Sequence, residues 1–142
     1  MPVPAVILFA HGARDPAWAD PFNALRDALL RAQPERRVEI AYLELMRPSL
    51  PDLVAELAGQ GHGEIVVVPV FLGRGGHLRR DFPVLMEQAK ALTPMVSLRA
   101  TPAVGELPAV IAAMSGAILG VVETSASDHG SGAGLSDSEA AS

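Results

Sequence analysis

The 142-residue chain contains no cysteine. That excludes a disulfide framework, a thiolate metal site and a cysteine nucleophile. Aromatic residues are scarce, at 4%, so any core must be built mainly from Val, Leu, Ile and Ala. Charge is sparse too, at 19% of residues, and its balance is acidic: 11 Lys+Arg against 16 Asp+Glu, a net −5. Counterion release from a nucleic-acid backbone needs clustered cations, so no nucleic-acid partner is expected. No Lys or Arg precedes the first apolar run, residues 3–10, so the start does not read as a secretory signal. Residues 107–122 carry no charge, but Ser115, Gly116 and Gly120 interrupt them. At 16 residues this stretch falls short of the ~18 expected of a membrane helix. It reads as a buried core helix, with no membrane partner and a cytoplasmic location by default.

What the chain does have is hydrophobic residues, 49% of the total, enough for one packed domain at this length. Two periodicities alternate. Residues 3–10, 38–45, 64–72 and 96–100 are short apolar runs of the kind buried strands use. Between them lie helical stripes: Phe22, Leu25 and Leu29, then Leu53, Val54 and Leu57, then Phe82, Leu85, Met86 and Ala89. Leu107, Val110, Ile111, Met114 and Ile118 would face a last helix. Asp20-Pro21 reads as an N-cap with Pro at the first helical position. Ser49 and Asp52 are spaced like a capping box. Pro69 cannot donate to a ladder and marks a bulge or a strand end. The order β-α-β-α-β-α-β-α predicts an α/β fold, a parallel sheet with helices on both faces, over residues 1–123. Residues 124–142 are mostly Ser, Gly, Ala and acidic side chains, with one Leu, one Thr and one His, the composition of a disordered tail.

Ligands of open parallel sheets bind beyond the C-terminal strand ends. His11 follows the first strand, Glu44 ends the second, and a Gly-rich loop leading to His77 follows the third. Topology alone would gather two imidazoles and a carboxylate at one edge, a donor set suited to a divalent first-row metal. Each residue has a structural reading as well. His11 could hydrogen-bond at a strand-loop junction, His77 could open a helix, and Glu44 could pair with Arg14 or Arg47 on the surface. His62 falls at the opposite edge, where a structural role is expected. The loop lacks the G-x-G-x-x-G and G-x-x-x-x-G-K-[ST] phosphate patterns. No G-x-S-x-G elbow is present. Ala10, where phosphohistidine phosphatases carry Arg, argues against that chemistry.

Three segments together resemble a known family. Leu8-Phe9-Ala10-His11-Gly12-Ala13-Arg14-Asp15-Pro16, Tyr42-Leu43-Glu44 with Pro48-Ser49-Leu50, and the segment from Val68 through Gly73-Arg74-Gly75-Gly76-His77 to Pro83 are similar to the CbiX-type sirohydrochlorin cobaltochelatase/ferrochelatase group of class II chelatases. The resemblance implies a chelatase-like fold and a lyase that inserts Co²⁺ or Fe²⁺ into sirohydrochlorin, on the way to cobalamin or sirohaem, without ATP. It implies the short, single-domain form working as a homodimer. His11 and His77 would bind metal and accept protons, with Glu44 as their acidic partner. Arg14, Arg74, Arg79 and Arg80 would meet the carboxylates of the tetrapyrrole, and Gly75 and Gly76 would let the loop fit a flat ligand. No tightly bound cofactor is expected; Co²⁺, Fe²⁺ or Ni²⁺ is a substrate. A non-enzymatic metal or tetrapyrrole carrier using the same histidines is the alternative.

Overall fold

The four apolar runs become four parallel strands: β1 (Ala5–Ala10), β2 (Val38–Tyr42), β3 (Glu64–Pro69) and β4 (Ser97–Ala100). The computed structural model describes residues 3–73 and 75–140, without the side chains of residues 77 and 126–140. Strand order is β2-β1-β3-β4. The register sets Leu8 opposite both Ile40 and Val68. Alternation along β1 sorts the core. Ala5, Ile7 and Phe9 pack with α2 (Leu50–Gly59) and α3 (Gly76–Leu92) on one face. Leu8 and Ala10 face the other way, with Trp18, Phe22, Leu25 and Leu29 of the segment that includes α1 (Asp20–Ala32). Helices on both faces of a parallel sheet are the architecture the periodicities predict.

Local chemistry sets the element ends. The Ser49 hydroxyl accepts from the Asp52 N–H at 3.3 Å and caps α2. Pro69 is the last residue of β3, so its missing N–H falls where the ladder stops. Asp20 differs from expectation: it is the first residue of α1, and Ala19 at the N-cap makes no side-chain cap. Asp15 caps instead, accepting from the Ala17 N–H at 3.0 Å ahead of the 3-10 turn Pro16–Ala19. The carboxylate thus serves the turn that precedes the helix.

The chain divides between Glu106 and Leu107 into two compact units. The second unit carries α4 (Pro108–Ala140), which corrects two expectations. First, its apolar residues are not core: Ile111, Ile118, Leu119, Val121 and Val122 are all exposed, Ile118 to 61%. The rest of this stretch is mainly Ala and Gly, so the helix has no strongly polar side of the kind an amphipathic helix turns to water. Second, the window Pro108–Ser125 does reach the length and apolarity that can cross a membrane. The helix also continues past position 123, where the composition suggests a disordered tail.

Candidate active site

Parallel pairing of β1 with β2 continues past both strand ends. The Leu43 N–H donates to the Ala10 carbonyl at 2.9 Å, and the Glu44 N–H donates to the His11 carbonyl at 3.1 Å. Main-chain registry therefore delivers His11 and Glu44 side by side at the C-terminal edge. Their side chains meet there, His11 Nε2 lying 3.2 Å from Glu44 Oε1. The carboxylate thus faces an imidazole instead of Arg14 or Arg47. Both side chains are half exposed, 49% and 50%, so the pair adds at most about 1 kcal/mol to stability. Its value is positional. An Nε2 proton turned toward the carboxylate would leave the lone pair of a neutral ring on Nδ1, open to a metal or a proton.

Gly12 is what permits this approach. Its φ is +97°, and a Cβ there would strike the Glu44 carbonyl oxygen. Only glycine accepts both the left-handed backbone and the close packing. The Glu44 carbonyl also accepts from the Met46 N–H at 2.8 Å, closing a three-residue turn around Leu45 at φ +65°. A left-handed Leu costs about 1–2 kcal/mol. The Tyr42 N–H, bonded to the Pro48 carbonyl at 2.9 Å, ties the base of this loop. Burial pushes the Tyr42 phenol above its ordinary value, and the Arg26 charge partly opposes that.

On the other side of β1, the chain leaving β3 is fixed in a similar way. The Gly105 N–H donates to the Phe71 carbonyl at 2.8 Å, and a Cβ on Gly105 would strike the Leu72 backbone. Leu72 itself is 75% exposed. Gly75 is the N-cap of α3 and makes no side-chain cap; Gly76 and His77 are its first two residues. The His77 side chain and all of Arg74 lie outside the described residues. Arg14, Arg79 and Arg80 are exposed, and Arg80 Nε donates to the Gly76 carbonyl at 3.2 Å. Among the described residues no group of three or more His, Asp or Glu side chains gathers. His11 and Glu44 are thus brought together, and His77 is placed by its backbone alone.

The CbiX family model matches residues 5–119. The chain belongs to the CbiX family. A CbiX protein from Marinobacter aquaeolei VT8 superposes with a TM-score of 0.75 at 33% identity, over 84% of this chain and 98% of that one. The sirohydrochlorin chelatase SirB from Bacillus subtilis subspecies spizizenii, solved with cobalt, gives 0.57 at 26% identity, over 69% of this chain and 42% of SirB. The sirohydrochlorin cobaltochelatase of Methanothermobacter thermautotrophicus is 35% identical over 81 residues, 57% of this chain and 56% of that relative. The chain therefore spans little more than half the length of this curated relative. The family fold agrees with the chelatase-like sheet expected from the three sequence segments.

Two contributors to this CbiX site escape a reading of the sequence. Gly12 was legible as a turn residue, but its contact with Glu44 depends on strand pairing. Leu45 carries no local signal, because leucine is among the residues least suited to a left-handed turn.

Proposed function

We propose that this chain inserts a divalent metal, Co²⁺ or Fe²⁺, into sirohydrochlorin without ATP, in cobalamin or sirohaem biosynthesis. The observation that carries this reading is the His11–Glu44 pair, 3.2 Å apart at the C-terminal edge of a CbiX-family sheet. Insertion replaces two pyrrolic N–H protons with one M²⁺. The reaction needs a base that is neutral near pH 7 and a loose ligand for the arriving metal. Neutral imidazole meets both needs, with an unperturbed pKa of ~6.5. The Glu44 carboxylate beside Nε2 favours a proton there and leaves Nδ1 to act. An open site with few ligands hands the metal on, where a closed four-ligand site would retain it.

His77, two residues past the N-cap of α3, is the second metal-binding and proton-accepting group in this reading. The first N–H groups of α3 lack a side-chain cap, which leaves them for substrate carboxylates. Arg14, Arg74, Arg79 and Arg80 pair with the remaining carboxylates, guanidinium matching carboxylate geometrically. Gly75 and Gly76 keep the loop beside them low. Co²⁺, Fe²⁺ and Ni²⁺ share these ligand preferences. The protein works as a cytoplasmic homodimer, each copy contributing one His11–Glu44 pair. That SirB is more than twice as long as the segment it shares with this chain supports the pairing of two such domains.

The alternative is a carrier that holds metal or tetrapyrrole without accelerating insertion. Anaerobic mixing of the protein with sirohydrochlorin and Co²⁺, followed by absorbance, separates the two. A rate well above the protein-free control is expected. A rate equal to that control, with metal bound, would establish the carrier.

A further inference from the structure

Leu45 is unfavourable to the fold on two counts. Its backbone sits at φ +65°, in the region that favours glycine. Its side chain is 60% exposed, so packing does little to offset that strain. A single exposed leucine needs no explanation, and strained backbone at a functional edge is common. The combination is different: folding alone would favour glycine here and would lose little by removing the isobutyl group.

Position says what the group is for. Leu45 directly follows Glu44, whose carboxylate faces His11, and the loop is fastened by the Glu44–His11 and Tyr42–Pro48 main-chain bonds. Across β1, Leu72 follows β3 with its backbone pinned against Gly105 and its side chain 75% exposed. Because β1 lies between β2 and β3, the two strands carrying these leucines flank the strand carrying His11. Strand spacing puts the two flanking strands roughly 10 Å apart. Two rigidly based apolar groups on either side of a metal-competent imidazole fit a broad, flat ligand with an apolar face.

We infer that Leu45, with Leu72 across β1, is a substrate-contacting residue that supports the apolar face of the macrocycle over His11. This rests on the chelatase reading. Charged groups then bind the carboxylate rim, while the leucines exclude water from the ring face and set its height above the histidine.

The test is titration of wild type, Leu45→Ala, Leu45→Gly and Leu72→Ala with metal-free sirohydrochlorin, read by absorbance, alongside thermal melting and sedimentation. Leu45→Gly is expected to melt at a higher temperature than wild type and still bind roughly tenfold more weakly. Leu45→Ala and Leu72→Ala are expected to lose affinity to a similar degree without changing oligomeric state. Wild-type affinity in both Leu45 variants would overturn the inference and leave the chelatase reading intact. So would a changed oligomeric state with unchanged affinity. Failure of the wild type itself to bind sirohydrochlorin would overturn both.

Discussion

His11 and His62 stand at opposite edges of the sheet and differ in what surrounds them. At the N-terminal edge, His62 lines a cavity of about 350 Å³ together with Ala58, Gly61, Gly63 and the segment from Leu92 to Val96. Among the described residues no carboxylate pairs with it. At the C-terminal edge His11 lies half exposed with a carboxylate at 3.2 Å, a left-handed glycine beneath it and a strained turn beside it. That hollow lies at the edge with less chemistry. Space alone marks a place where two connections fail to meet; a site needs groups whose placement the fold has been bent to achieve. At the His11 edge the bending is visible at Gly12 and Leu45. At the His62 edge Gly61 is also left-handed, at φ +96°, but its Cβ position is open, as a helix C-cap requires and no more.

The comparison breaks most severely at Gly12. Gly12→Ala forces a Cβ into the Glu44 carbonyl and should cost about 1–3 kcal/mol in stability. Insertion activity should fall further than stability explains, because the His11–Glu44 registry shifts. Gly61→Ala has open space and carries only the left-handed penalty, so it should leave activity intact; thermal melts and insertion rates of both variants check this. Next in size is Glu44→Gln. The amide keeps the size of the group beside His11 Nε2 but carries no charge, so insertion should slow by roughly 10–100-fold with the melting temperature almost unchanged. His62→Ala should change the insertion rate less than twofold. Equal losses in His62→Ala and Glu44→Gln would erase the distinction between the edges.

The smallest effect concerns the wall of β2. Burial raises the Tyr42 pKa above 10.0, so the folded state holds this proton more tightly than the unfolded chain. The stability it contributes is complete below about pH 10 and is lost as pH climbs from there through the raised value, by at most about 1.4 kcal/mol per pH unit. Tyr42→Phe should flatten that alkaline decline. Denaturation midpoints between pH 9 and 11 measure it.

Much of this was legible in the sequence because parallel sheets convert order into place. Once residues 3–10, 38–45 and 64–72 read as adjacent strands, His11 and Glu44 had to emerge at the same edge. Ser49 as a cap and Pro69 as a strand end follow from the chemistry of single residues. Leu45 did not follow, because its backbone is imposed by ties at His11 and Pro48 and not by its own preference. The residues alone left the partner of Glu44 open between Arg14, Arg47 and the histidines; the family resemblance implied the histidines, and the register sets His11 beside it. In α4, apolar composition correctly signalled a helix, but it says only that such a surface favours cover.

Whether the chemistry resides at the His11 edge is decided by anaerobic Co²⁺ insertion into sirohydrochlorin by His11→Ala and His62→Ala, measured side by side with wild type. His11→Ala is expected to lose roughly 10²–10⁴-fold in rate while melting within a few degrees of wild type, and His62→Ala to match wild type. Retained activity in His11→Ala, or its loss in His62→Ala, would contradict a site at the His11 edge.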